Sequence, residues 1–218
     1  MLSFIETVLS QIATWKWPDL LQGIGAIWVA CVATVALNTW KSQLRTEKEL
    51  EFIHALTDAI NELLLQLPIP ITYFELAKIG IGARDGLGPK YRGLENAGPI
   101  EFIETRGPEY GKRILESLTP IRMIVGNTQA LVTKGQMFGF PDYDRCLNVV
   151  NQLTGAFRQI EGFAVLIASD HMNWENSKIQ NTLTKVLAIE PEAIRKSLEA
   201  QSLEITDYAR TIYKRALR

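Results

Sequence analysis

Apolar side chains are densest from Leu20 to Trp40, where Cys31 is the only ionisable residue among twenty-one. A helix rises about 1.5 Å per residue, so this stretch is roughly 32 Å long and matches a hydrocarbon core about 30 Å thick. Gln22 and several glycines and alanines dilute its hydrophobicity, so its insertion is expected to be close to neutral and to need flanking anchors. We therefore predict a transmembrane helix over 18–40.

The residues beside the predicted span are typical of a membrane interface. Residues 1–17 place apolar side chains on one helical face, opposite Glu6, which indicates an amphipathic segment lying in the headgroup region. Because Glu6 stands where a signal peptide would carry a basic region, we expect an anchor that is not cleaved. The predicted interface residues are the tryptophans and cations at the two ends of the span, namely Trp15, Trp17, Trp40, Lys41 and Arg45.

Small side chains recur along one side of the predicted span. They are three or four residues apart, so on a helix they form rows along which a second helix can approach closely. These rows predict a homo-oligomer, and their members are Gly23, Ala26, Ala30, Ala33 and Thr34.

The charges that flank the span predict its orientation. Lys41, Arg45 and Lys48 follow it closely, whereas Lys16 alone lies close before it. Cations are enriched on the cytoplasmic side of membrane segments. We therefore predict a single-pass protein of the cell inner membrane with its N-terminus outside and its C-terminal domain in the cytoplasm.

A helical pattern continues beyond the span. No helix-breaking residue occurs between Pro18, at a first turn, and Pro68, so one helix of about fifty residues is predicted. Further helices are predicted from 108 to about 134, after Asp142, which is a candidate helix cap, and from 191 onwards.

The helix after Asp142 has the most regular pattern in the chain. Its apolar positions alternate four and three apart, which indicates packing against other helices. This seam consists of Cys146, Val150, Leu153, Phe157, Ile160, Ala164, Ile167 and His171. Four long helical segments without a strand pattern predict an all-α protein, in which the transmembrane helix continues into an antiparallel cytosolic bundle over 41–218. An irregular Gly- and Pro-rich loop is expected at about 80–107.

Composition narrows the classes of partner and compartment. A net charge of −1 and a pI near 6.2 argue against nucleic acid as a partner, because phosphate binding needs a basic surface. The two cysteines, Cys31 and Cys146, fall in different environments, so we expect free thiols in a reducing compartment.

Two pairs of residues have the spacing that metal sites use. Glu51 and His54 are three apart, as in di-metal helical bundles, but the helical pattern places His54 on the charged face and no second copy occurs. His171 and Glu175 are four apart and would lie one helical turn from each other, without a third ligand. These four residues are the metal-ligand candidates. The pattern favours structural histidines, so neither a catalytic residue nor a cofactor is expected.

Two groups of cations are candidates for contact with an anionic partner. The first lies in the Gly-rich stretch, which lacks the Gly-Lys-Ser/Thr triplet of phosphate-binding loops. The second lies near the C-terminus, where cations also suit the negative end of a helix dipole. The candidates are Arg84, Lys90, Arg92, Arg210, Lys214 and Arg215.

The predicted layout resembles that of small bacterial inner-membrane proteins with one N-terminal span and a helical cytosolic domain, including membrane-acting effectors encoded in phage-defence operons. The resemblance covers architecture only and assigns no residue a role. It favours a non-enzymatic interaction protein or effector, for example in antiviral defence, that meets the bilayer and a protein partner and acts by oligomerising in the membrane or perturbing it. Two alternatives stay open: a membrane-tethered metal-dependent enzyme, and a soluble helical bundle that buries residues 20–37.

Overall fold

The protein is all-helical, as predicted. The computed structural model describes residues 17–83, 93–94, 96–140 and 142–216, and within those ranges helices are the only regular secondary structure. The α-helices are α1 (Trp17–Gln66), α2 (Pro68–Gly82), α3 (Ala97–Thr105), α4 (Gly107–Gly135), α5 (Tyr143–Ile167), α6 (Ser177–Leu187) and α7 (Pro191–Ala216), and a single 3₁₀ turn (Gln136–Phe138) follows α4.

The chain divides into two compact units, Met1–Glu49 and Leu50–Arg218. Helix α1 contributes residues to both units, and its fifty residues confirm the prediction of one long helix before Pro68. Pro68 then begins α2 after a turn at Leu67. A proline suits that position because its missing N–H would have no partner in a first helical turn.

The core of the Leu50–Arg218 unit is built around α5. Every predicted seam residue from Cys146 to Ile167 is buried, with exposed fractions of 5% or less. The prediction that His171 extends the buried seam is wrong, because α5 ends at Ile167 and the His171 side chain is 95% exposed. Helix α5 packs against α4 and α7, and its Phe163 also contacts Phe74 of α2, with 4.2 Å between the ring centroids.

Helices α4 and α5 pack against each other and run in opposite directions. A Cβ atom on Gly111 would lie 2.7 Å from the carbonyl oxygen of Ala164, so glycine allows the start of α4 to approach the end of α5. At the other end of the pair, the Tyr143 hydroxyl donates a hydrogen bond of 2.6 Å to the carbonyl oxygen of Val132.

The prediction of an irregular loop over 80–107 is wrong at both ends. Helix α2 continues to Gly82, and α3 occupies much of the second half of the predicted loop. The reason is tertiary packing: Ile100 and Ile103 are fully buried, and Phe102 lies so close to Gly80 that a Cβ there would be 2.6 Å from its ring. Burial of these apolar side chains outweighs the low helix propensity of the surrounding glycines and prolines.

Two further local differences concern helix starts. Asp142 precedes α5 but does not cap it, because its φ of 53° is left-handed and its side chain makes no capping hydrogen bond. Helix α6, which the apolar pattern did not predict, begins after Asn176, whose side-chain oxygen accepts a 2.9 Å hydrogen bond from the backbone N–H of Lys178. Leu183 is the only buried residue of α6, so the sequence of this helix shows little apolar periodicity.

Candidate functional site

The first candidate site is the apolar part of α1. This helix is long and apolar enough to cross a membrane, and none of its most apolar eighteen-residue window is buried. Residues 21–40 are all exposed. The large apolar side chains that are between 47% and 70% exposed are Leu21, Ile24, Ile27, Trp28, Val29, Val32, Val35, Leu37 and Trp40.

The predicted rows of small side chains lie within this exposed part. A Cβ atom added at Gly23 would meet nothing within 4 Å, so no packing within the described chain requires glycine there. Ala26, Ala30, Ala33 and Thr34 are likewise exposed. The Thr34 hydroxyl donates a 2.8 Å hydrogen bond to the carbonyl oxygen of Ala30, so its proton is engaged in a hydrogen bond within its own helix.

The structure describes only some of the predicted interface residues. Trp40 and Lys41 are exposed, and Arg45 forms an ion pair with Glu49, with 2.8 Å between Nε and Oε1. Trp15, the side chain of Trp17 and the predicted amphipathic segment lie outside the described residues.

The Glu51 and His54 pair is not arranged as a metal site. His54 is exposed, as predicted, and its ring contacts Tyr213 of α7, whose hydroxyl oxygen lies 2.8 Å from Nδ1 and 3.0 Å from Nε2. Burial raises the pKa of the Tyr213 hydroxyl, with a further contribution from the charge of Asp58. The contact between His54 and Tyr213 therefore connects α1 with α7.

The His171 and Glu175 pair is also separated from any cluster of ligands. These residues follow the end of α5 in a turn region, so the predicted spacing of one helical turn is wrong. His171 Nε2 lies 3.5 Å from Asp170 Oδ1, and Glu175 donates its backbone N–H to Asn173. Across the residues that the structure describes, no group of three or more His, Cys, Asp or Glu side chains could hold a metal ion.

Cys146 is not poised to act as a nucleophile. It is fully buried, and burial raises the pKa of its thiol to about 12. A thiol with this pKa stays protonated at neutral pH, and the thiolate is the reactive form. Cys31 is exposed, and both cysteines are free.

The cations near the C-terminus lie on the exposed side of α7. Arg210, Lys214 and Arg215 are exposed, and none of them forms an ion pair with another described residue. The pKa of the Asp207 carboxyl is held below its ordinary value mainly by a hydrogen bond from Arg145, and Arg210 and Lys214 add to this effect. Arg84, Lys90 and Arg92 lie outside the described residues.

A cluster of aromatic rings lies where α1 joins the Leu50–Arg218 unit. The Phe52 ring centroid is 5.2 Å from that of Phe138 and 5.5 Å from that of Phe140. Beside them Met137 is 87% exposed. The sequence analysis placed this segment between two predicted helices and did not predict the cluster. The available signal was three large apolar residues within five positions, namely Met137, Phe138 and Phe140.

The Leu50–Arg218 unit also has a surface groove of about 570 Å³ between α1, α2 and α7. Leu64, Leu65 and Leu198 line it, together with Arg195 and Glu199. Arg195 is bound to Glu75, with 2.5 Å between Nη2 and Oε2. The groove is shaped for an apolar contact, and its described lining has neither a histidine nor a cysteine that could carry chemistry.

The described residues thus define an all-α protein with one helix that is long and apolar enough to cross a membrane. No family model matches the chain, and no curated protein or solved structure is significantly similar to it.

Proposed function

We propose that the protein is a non-enzymatic, single-pass membrane protein whose helical cytosolic domain receives a protein partner. Binding of the partner changes the assembly of the membrane helix or the integrity of the bilayer. A bacterial inner-membrane effector of antiviral defence is one case of such a protein.

The observation that carries this proposal is the exposed apolar surface of α1 over residues 21–40. A helix that is apolar on all sides needs an apolar environment on all sides. Soluble monomers rarely expose continuous apolar patches larger than a few hundred Å². A lipid bilayer is the environment that satisfies such a helix, because its backbone groups are hydrogen-bonded internally.

The same exposure is the argument against a soluble bundle that buries residues 20–37. In that alternative, side chains such as Val29 and Ile27 would pack inside the chain, but they are 70% and 66% exposed. The proposed orientation, with the C-terminal domain in the cytoplasm, rests on Lys41, Arg45 and Lys48 alone.

Membrane fractionation of cells that express the full chain tests the proposal. We expect the protein in the membrane fraction after alkaline carbonate extraction, and Val29→Arg should move it out of that fraction. An arginine at the centre of a span costs about 2.5–3.5 kcal/mol, which is large for a span whose insertion is close to neutral.

Leu203→Arg is the matched control. Leu203 lies on α7 and is 74% exposed, so the same charge is added to an equally exposed apolar position outside the proposed span. This variant should stay in the membrane fraction. Recovery of the unmodified protein in buffer without detergent would overturn the proposal.

A further inference from the structure

We propose that the Leu50–Arg218 unit carries a surface that binds a second copy of the chain. This surface is an exposed apolar stripe on the end of α1 and on α2, and it pairs with the same stripe of the second copy in antiparallel orientation. Because it lies wholly within one unit, this contact is separate from the assembly proposed for the membrane helix. The exposed stripe consists of Leu65, Ile69, Thr72, Leu76, Ile79 and Ala83.

The members of the exposed stripe alternate four and three residues apart, which is the spacing of helices that pair along a seam. Leu67, between α1 and α2, keeps helical angles, with φ of −59° and ψ of −30°. Its N–H donates to the carbonyl oxygen of Leu63 at 3.0 Å, and its carbonyl oxygen accepts from the N–H of Ile71 at 3.3 Å. The stripe therefore continues along one helical side from α1 to α2, over roughly 27 Å.

Every member of the exposed stripe is accessible. The Thr72 hydroxyl donates a 3.0 Å hydrogen bond to the carbonyl oxygen of Pro68, so this side chain offers mainly its methyl group to a partner. The large apolar members are between 47% and 77% exposed, namely Leu65, Ile69, Leu76 and Ile79.

The opposite side of α2 already has its partners within the chain. Ile71, Phe74 and Ala77 on that side are fully buried. Helix α2 is therefore apolar on two sides, and the described part of the chain covers only one of them. Continuous apolar surface of this kind is typical of interaction sites.

The charges beside the stripe favour an identical partner. Glu75 and Lys78 are the only charged residues from 65 to 83. Glu75 is bound to Arg195, with 2.5 Å between Oε2 and Nη2, and Lys78 Nζ lies 3.2 Å from Glu190 Oε1. Along this described segment no unpaired charge is left for a charged partner, and two copies can approach without strong like-charge repulsion. An identical stripe matches in length, spacing and lack of charge, so we commit to a second copy.

The order of the side chains favours antiparallel pairing. The spacings along the stripe are four, three, four, three and four, so they are the same in both directions. A two-fold axis near position 74 therefore places all six members opposite a member of the second copy. Leu65 then faces Ala83, Leu76 faces Thr72, and Ile69 faces Ile79, so that large side chains pack mostly against small ones. A parallel pair would instead place Thr72 on Thr72 and Ala83 on Ala83, which leaves gaps.

The contact is expected to be weak and reversible. A stable interface buries roughly 800 Å² on each partner, and four partly exposed side chains supply only part of that area. Two copies held in one bilayer would pair more readily, because tethering raises their effective concentration.

Cross-linking between copies of the full chain in mild detergent tests the pairing. Leu65→Cys with Ala83→Cys is made in a chain that carries Cys31→Ala, and Cys146 does not react because it is fully buried. A short bismaleimide joins two thiols only where they are close. We expect a covalent dimer from the double variant. Leu65→Cys alone should lose most of this dimer, because its two copies would be roughly 27 Å apart along the helix axis.

A control variant carries the same kind of cysteine pair elsewhere. Lys112 and Ala130 are both exposed on α4 and are also eighteen residues apart. Lys112→Cys with Ala130→Cys should therefore give only the background of random collisions between chains in detergent.

A charge at the centre of the stripe should disrupt the pairing. In the chain with cysteines at 65 and 83, Thr72→Arg brings a cation from each copy into an apolar contact, which should lower association at least about tenfold. Thr119→Arg is the matched control, because Thr119 is exposed on α4 and its hydroxyl likewise donates a 3.0 Å hydrogen bond within the helix, to Leu115. This control should leave the dimer yield unchanged, and circular dichroism should show the same helix content in both arginine variants.

The outcomes separate this inference from the proposed function. If the chain is recovered in buffer without detergent but still cross-links through positions 65 and 83, the proposed function fails and the second-copy surface stands. If the chain stays in the membrane fraction but this pair gives no more dimer than the α4 pair, only this inference is overturned, and lipid or another protein covers the stripe. Equal dimer from Leu65→Cys alone would also overturn it, because the two stripes would then run parallel.

Discussion

The two halves of α1 show that apolar residues can form two different kinds of surface within one helix. Over residues 21–40 every side chain is exposed, whereas most apolar side chains from Phe52 to Leu63 are buried. Both halves are rich in apolar residues, so abundance does not separate them. Their arrangement does, because the first half is apolar on all sides and the second on one side.

The buried half follows the helical period closely. From Ile53 onwards its buried positions recur three or four residues apart, and the exposed positions between them include charged residues such as Asp58 and Glu62. A single apolar face is satisfied by packing on neighbouring helices, whereas an apolar surface on all sides needs a surrounding apolar medium. The buried positions are Phe52, Ile53, Leu56, Ile60 and Leu63, and the buried Leu67 continues the pattern directly after α1.

The largest expected difference between the halves is in stability. Ile60 is fully buried, so Ile60→Ala should lower the free energy of unfolding of the Leu50–Arg218 unit by about 3 kcal/mol through lost burial and a residual cavity. Ile27→Ala, at a position that is 66% exposed, should leave that transition unchanged. Urea unfolding in mild detergent, followed by circular dichroism, measures both. Equal losses in the two variants would contradict the division of α1 into two halves.

A smaller effect is expected on assembly through the exposed half. Ala26→Ile with Ala30→Ile should weaken self-association roughly tenfold, because larger side chains keep two helix backbones apart. Ala36→Ile is the control, since it lies roughly 110° around the helix from the small-residue rows. Both variants make the stretch more hydrophobic, so membrane insertion is retained. Mass measurement in detergent reports the change, and an unchanged mass in the double variant would remove the argument for assembly through these rows.

The smallest expected effect on stability concerns the ion pairs between two helices of the Leu50–Arg218 unit. Arg145 on α5 binds Glu204 and Asp207 on α7, at 2.5 and 2.9 Å, and these hydrogen bonds lower the pKa of both carboxyls. Their contribution to stability is complete above the ordinary carboxyl pKa of about 4 and is lost as the pH falls through the lowered values.

Arg145→Gln should therefore lower the unfolding midpoint slightly at pH 7, and the difference from the unmodified protein should shrink below about pH 4. The sites are largely exposed, so solvent screening keeps the effect small. Arg158→Gln is the control, because Arg158 is exposed on the same helix and has no ion pair with another described residue. A difference that is the same at pH 3 and pH 7 would show that packing, not charge, is responsible.

Periodicity predicted those parts of the fold in which one element meets the core with a regular face. The seam of α5, the length of α1 and the start of α7 at Pro191 follow from spacing and from the position of prolines. Helices α3 and α6 were missed because each is short and is held by contacts with distant residues. Asn96, for example, donates hydrogen bonds to Gln180 and Thr184 of α6, and no local pattern contains such a contact.

Among the candidate functional residues, too, local features could be predicted from the sequence and long-range contacts could not. The apolar stretch from Leu20 to Trp40 is a property of composition, so it could be found from the sequence. The interpretation of His171 depended on an extrapolated helix and was wrong, because the chain turns after Ile167. The aromatic cluster of Phe52 and Phe138 joins residues eighty-six positions apart, so spacing along the chain carried no sign of it.

The sequence by itself determined the helical class, the long helix α1 and its two kinds of apolar surface, because helical periodicity and hydrophobicity act over a few neighbouring residues. Only the tertiary structure decided which faces meet, that His54 contacts Tyr213, and that Phe52 lies against Phe138 and Phe140. Such contacts join segments that are distant along the chain, and their geometry is fixed by the packing of the whole unit.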